Sequence, residues 1–188
     1  AAQAHTNTGS VTSEGDVTHR ANIARSAFGA DGRGVKVGVL SDSVDYLANS
    51  QASGDLGDVT VLPGQSGAGA GEGTAMLEII HDLAPGAQLY FATAFNGEAS
   101  FAQNILNLRS NGCDIIVDDV YYFDESPFQD GIIAQAVNSV TASGALYFSS
   151  AGNDGSRRIS RVSCSTSARG SRSVSTETVA EDSFPDTL

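Results

Sequence analysis

The chain has 188 residues and a formal net charge of −12, with 40% hydrophobic and 17% charged residues. That length can bury the core of one domain, and the apolar content is too high for a disordered chain. No run of 18 apolar residues is available for a transmembrane helix, and the acidic balance argues against nucleic acid as a partner. The charge is uneven. Residues 1–155 hold five Lys or Arg against 18 Asp or Glu, whereas residues 156–188 hold five Arg against four acids and are rich in Ser and Thr. The expected organisation is an N-terminal segment with a short helix (1–33), an α/β core (34–155) and an Arg/Ser-rich tail (156–188).

Two cysteines, Cys113 and Cys164, are too few for a disulfide scaffold. One bridge tying the tail to the body and two unrelated thiols are both open readings. The chain begins Ala-Ala with no apolar signal core, which reads as a processed or trimmed start, and a secreted or extracytoplasmic location is expected.

Residues 17–28 suit a short helix, ended by GADGRG. VKVGVL (35–40) is a β-branched run suited to a buried strand, followed by a helix around 45–53 and a strand VTVL (59–62). The loop 63–73 has five glycines between 64 and 73 and reads as highly flexible. Next comes a helix whose apolar stripe is Met76, Ile79, Ile80 and Leu83, then a strand at 88–93. Helix 99–110, strand 114–118, helix 130–143 and strand 145–149 continue the alternation, with Ile133, Ala136, Val137 and Val140 as the last apolar stripe. Helices alternating with continuously apolar strands predict a parallel sheet covered on both faces.

In such sheets the functional crevice lies at the carboxyl ends of the strands. Those ends carry Ser41-Asp42-Ser43-Val44-Asp45, Asp118-Asp119 and Ser149-Ser150-Ala151-Gly152-Asn153, and Glu72 opens the long helix after the Gly-rich loop. Carboxylates held together raise one another's pKa, which turns an acid into a proton acceptor near working pH. Asp42 and Asp45 equally suit turn and capping roles, and Glu72 suits a helix N-terminus. Asp118-Asp119, directly after an apolar strand, is harder to explain without a function, because buried carboxylates need partners.

The segments GVKVGVLSDSVD (34–45), GEGTAMLEIIHDLAPGAQLYFATA (71–94), CDIIVDDV (113–120) and SVTASGALYFSSAGNDG (139–155) come in an order and spacing that resembles the subtilisin/sedolisin superfamily of serine peptidases. The resemblance implies a subtilisin-like α/β fold and hydrolysis of peptide or ester bonds. Glu72-Gly73-Thr74 stands where subtilisins have His-Gly-Thr, which is the sedolisin solution, with Glu as base toward a serine. The acid that sedolisins add one turn later is Met76 here, so Asp42 or Asp119 is expected to replace it. Ser41 occupies the place of the subtilisin Asp, one residue before Asp42. Asn153 matches the subtilisin oxyanion residue. No Gly-Thr-Ser nucleophile motif occurs, so the resemblance implies a domain shortened at its C-terminal part, with a tail from elsewhere.

The expected catalytic set is therefore Glu72, Asp42, Asp119, Asn153 and a locally recruited serine. Ser150 is the candidate, among rim serines that include Ser41, Ser43 and Ser149, with Ser66 in the loop. The expected substrate is a peptide or a small ester, and no cofactor is required. One rival is an ester hydrolase built on His81, which otherwise reads as a packed residue. Another is an inactive or metal-dependent fragment holding Ca²⁺ or Mg²⁺ through Asp42, Asp118 and Asp119. Tyr121, Tyr122 and Phe123 read either as a cleft wall or as core.

Overall fold

A computed structural model describes residues 11–125 and 128–150, and the strands Ser160–Thr166 and Arg172–Thr178. In chain order the elements are α1 (Gly15–Thr18), α2 (Ala21–Phe28), β1 (Lys36–Ser41), α3 (Leu47–Ser53), β2 (Val59–Val61), α4 (Glu72–Leu83) and β3 (Gln88–Thr93). There follow α5 (Glu98–Ser110), β4 (Ile115–Asp118), α6 (Ile132–Ala142), β5 (Leu146–Ser149), β6 (Ser160–Thr166) and β7 (Arg172–Thr178). The first five strands form one sheet in the order β2-β3-β1-β4-β5, and every pairing in it is parallel. The tail strands β6 and β7 form a separate antiparallel pair.

The alternation of side chains along each strand divides the core into two layers. Val37 and Val39 of β1, with Leu89 and Phe91 of β3, pack with Leu77 of α4. Leu40, Ala92 and Ile116 point the other way, into a layer with Phe101, Ile105 and Leu108 of α5 and Ile133, Ala136 and Val140 of α6. Helices therefore cover both faces, as continuous apolar strands require. Cys113 is a fully buried free thiol in the second layer, and burial pushes its pKa up to about 11. The side chain of Cys164 lies outside the described residues. Among the described residues, no helix is long and apolar enough to cross a membrane.

Three expectations are corrected. The helix predicted over 17–28 is two helices, broken where Arg20 takes a left-handed conformation with φ 58°. Arg25 then reaches back to Asp16 with two bonds of 2.7 and 2.9 Å and donates to the Asp82 and Leu83 carbonyls, fastening this segment to the end of α4. Of the stripe Met76, Ile79, Ile80, Leu83, Met76 and Ile80 pack against the core only partly buried, and the fully buried face of α4 lies beside them. Gly73, Thr74, Leu77 and His81 are buried, while Ile79 is 51% exposed. Small residues let that face lie close against the sheet: a Cβ on Gly73 would overlap the Phe91 ring and the Ser43 carbonyl. Finally, the Gly-rich loop is not free. It is tied at several points to the turn that follows β1.

Candidate active site

Strand β1 ends in a turn whose side chains serve as acceptors for the Gly-rich loop. Asp42, only 4% exposed, accepts the N–H groups of Ser43 at 2.5 Å, Ala70 at 2.5 Å and Gly73 at 3.2 Å. The Ser43 hydroxyl donates to Asp45 at 2.9 Å and accepts the Gly71 N–H at 3.1 Å. Asp45 also accepts the Gly69 N–H, and its carbonyl accepts the Thr74 hydroxyl. Gly67, at φ 73°, bridges to Ser43 so closely that a Cβ would overlap the Asp42 carbonyl. Burial works to raise the Asp42 pKa, but the N–H groups of Ala70, Ser43, Gly73 and Glu72 outweigh it and hold the carboxyl below its ordinary value. Asp42 is thus an ionised anchor for the loop and the first turn of α4, with its oxygens already occupied.

That anchor fixes Glu72, which opens α4 at the carboxyl rim of the sheet. Its Oε2 accepts the hydroxyl of Ser41 at 3.5 Å, and Asp119 lies near enough for its charge to act on the Glu72 carboxyl. Desolvation raises the Glu72 pKa first, then the charge of Asp119, then the charge of Asp42, while Ser41 works the other way. A carboxyl so placed binds its proton more tightly than a free glutamate does. Ser41 is fully buried, so it steadies Glu72 from beneath, while Glu72 and Asp119 reach solvent.

The adjacent acids at the end of β4 part company: Asp118 is the last residue of the strand and is buried, and Asp119 follows it, exposed. Asp118 is 3% exposed and turns into the layer of α5 and α6, where it accepts the Tyr147 hydroxyl at 2.5 Å and the Ser149 hydroxyl at 2.7 Å. Burial is the main cause of its raised pKa, against which both hydroxyl bonds act. Asp118 is therefore a satisfied polar group between strands, and Asp119 alone joins the rim. Tyr147 was not legible as its partner; the parallel pairing of β4 with β5 brings it there. Ser150 follows β5 at the exposed rim, its N–H donating to the Asp118 carbonyl at 3.1 Å.

Other expected residues are not brought together. The set Asp42, Asp118, Asp119 does not assemble for a cation: the oxygens of Asp42 and Asp118 are engaged, and among the described residues no group of three or more His, Cys, Asp or Glu could hold a metal ion. His81 sits at the far end of α4, nine residues and about 13 Å from Glu72, at the amino ends of the strands. A triad on His81 at the rim is thereby ruled out. Ser66 is exposed in the loop, contributing its carbonyl to the Val44 N–H. Asn153 lies outside the described residues. Tyr122 is core, donating to the Ala94 carbonyl and packing against Phe101, while Tyr121 and Phe123 are exposed and stacked edge-to-face.

No protein-family model and no curated protein matches the chain. Among solved structures it is similar to the prenylagaramide maturation protease PagA, with 21% identity and a TM-score of 0.55 over 72% of this chain and 51% of that one. It is also similar to the PatG macrocyclase in complex with peptide, with 14% identity and a TM-score of 0.50 over 76% of this chain and 58% of that one. The likeness shows the fold: an all-parallel sheet with helices in the subtilisin-like arrangement that the motif order implied. The chain spans little more than half the length of these solved structures.

Proposed function

We propose that this chain carries the proton-accepting machinery of a peptidase-type serine hydrolase, with Glu72 and Asp119 as the base unit and Ser150 as the nucleophile. The position of Glu72 at the carboxyl rim, its pKa raised by desolvation and then by the charge of Asp119, carries this reading. A carboxyl whose pKa is raised is the better proton acceptor. The pairing of Asp118 with Ser149 supports Ser150 as the neighbour of Asp119 across one strand spacing, about 4.8 Å.

In this mechanism the Ser150 oxygen attacks the carbonyl carbon of the substrate while its proton passes to the Glu72–Asp119 base unit. The oxyanion forms as the carbonyl π bond breaks, and the Asn153 amide, assigned by resemblance alone, donates to it. The leaving group departs with the proton from that unit, and water then cleaves the acyl–serine bond by the same route. Glu72 is held by Ser41 and the α4 anchor, with Asp119 as its partner. No cofactor takes part. Peptides are the proposed natural substrates, supported by the peptide in the PatG complex, and a small activated ester is the practical one. The Glu72-Gly73-Thr74 motif supports a Glu-dependent variant of the subtilisin-like site.

The test is labelling by a fluorophosphonate probe, with the modified serine mapped by mass spectrometry. Labelling at Ser150 is expected, unchanged by EDTA and reduced at least tenfold in Glu72→Gln and Asp119→Asn. No labelling at any pH, or labelling indifferent to both substitutions, contradicts the proposal.

A further inference from the structure

Among the described residues, β5 is an edge strand of the parallel sheet and is only four residues long. Leu146 and Phe148 are 56% and 55% exposed, so apolar burial holds this strand weakly. A short edge segment with few buried contacts opens readily unless polar bonds fasten it. Ser150 follows directly on its carboxyl end, where any such opening would displace it first.

One buried side chain supplies the fastening. Tyr147 and Ser149 stand two residues apart and so share a face of β5. Their hydroxyls donate to the two oxygens of a single carboxylate, Tyr147 to Asp118 Oδ2 at 2.5 Å and Ser149 to Asp118 Oδ1 at 2.7 Å. The Asp118 carbonyl takes the Ser150 N–H at 3.1 Å, and its Oδ1 also takes the Val120 N–H at 3.4 Å. An ionised carboxylate has lone pairs enough to accept all three of its donors together. Asp118 therefore grips the chain on both sides of the rim. On β5 it holds Ser149 and Ser150; beyond β4 it holds Val120, the residue after Asp119. At 3% exposure it is closed to competing water, so these bonds are not readily exchanged.

We propose that Asp118 is a positioning residue for the nucleophile, fixing the spacing between Asp119 and Ser150 without touching the substrate. The inference rests on the hydrolase reading for its chemistry and on the hydrogen bonds alone for its geometry. Acyl transfer is sensitive to such spacing, because a misplacement of about 1 Å can cost roughly a hundredfold in rate. Asp118→Ala leaves the Tyr147 and Ser149 hydroxyls without their shared acceptor. Asp118→Asn still offers an oxygen to one hydroxyl and an N–H to the other, which can turn to accept it.

The test is the rate constant for fluorophosphonate labelling of Ser150 at saturating probe, measured on the intact chain apart from the labelled amplitude and the half-saturating concentration. Asp118→Ala is expected to lower the rate constant about tenfold with half-saturation unchanged, and Asp118→Asn to restore most of it. Where Asp118→Ala fails to fold, Ser149→Ala, a change at an exposed residue, decides instead, with a fall of about threefold expected. A loss confined to the amplitude reports folding alone and overturns the proposal. So does an unchanged rate constant, or a loss as large in Asp118→Asn as in Asp118→Ala. A wild-type chain that never labels contradicts the hydrolase reading, and ¹⁵N relaxation of the Ser150 amide then judges the geometry. Order that falls in Ser149→Ala supports positioning by Asp118, and order that stays the same overturns it.

Discussion

Replacing Asp42 by Ala removes the acceptor shared by the N–H groups of Ser43, Ala70 and Gly73. The bonds from Ser43 and Gly73 are buried, whereas the Ala70 N–H is part-buried and can turn to water. Two buried donors left without partners cost about 1–3 kcal/mol each, so a loss of about 3 kcal/mol is expected, or roughly 6–12 °C in Tm for a chain of this size. Asp42→Asn retains one acceptor oxygen and should lose less. The effect depends on pH in a fixed direction. The folded pKa lies below the ordinary 3.8, so the carboxylate stabilises the fold above that value. The contribution disappears as pH falls through the lowered folded pKa, and there the wild-type and Asp42→Ala curves should meet. Urea denaturation followed by far-ultraviolet circular dichroism, from pH 7 downward, measures both. A loss under 1 kcal/mol at pH 7, or a difference that persists unchanged in acid, would refute the anchoring role.

The clasp at the N-terminus should behave in the same sense. Asp16 is held below its ordinary value by its bond to Arg25, so Arg25→Ala should cost about 3 kcal/mol in urea denaturation at pH 7 and progressively less in acid. Glu72 has the opposite sign. Its folded pKa is raised, so the folded state is disfavoured as pH rises through the interval between the unfolded and folded values. Glu72→Gln should therefore equal or exceed the wild type in stability at pH 7, as read from Tm, even as probe labelling is lost. Gly73→Ala forces a methyl group against the Phe91 ring and should cost about 2 kcal/mol or more by denaturation, with a matching loss of labelling as Glu72 is displaced.

The parallel sheet was legible because its strands are short apolar runs bounded by turn residues, each followed by a helical period. The face of α4 was not. Hydropathy favoured Met76, Ile79 and Ile80, but close approach to the sheet favours small residues, and Gly73 and Thr74 register weakly on any apolar scale. At the rim the residue types were readable and their pairing was not. Asp118 and Asp119 look equivalent as a dipeptide, yet the strand ends between them, leaving one bonded to Tyr147 and the other exposed near Glu72. Asp42 resolved toward anchoring, a role that its place after β1 suggested equally with catalysis. The break at Arg20 and the return of Arg25 to α4 depend on contacts across 57 and 58 residues, which no local pattern carries.

The central claim is that Asp119 stands beside Glu72 and strengthens it as a proton acceptor. Carboxyl ¹³C NMR titration of Glu72 in the wild type and in Asp119→Asn tests it most directly. The account predicts that Glu72 titrates above its ordinary 4.5 in the wild type and moves back toward that value in Asp119→Asn. A Glu72 that titrates at its ordinary value, or one whose titration ignores the substitution of Asp119, would contradict it.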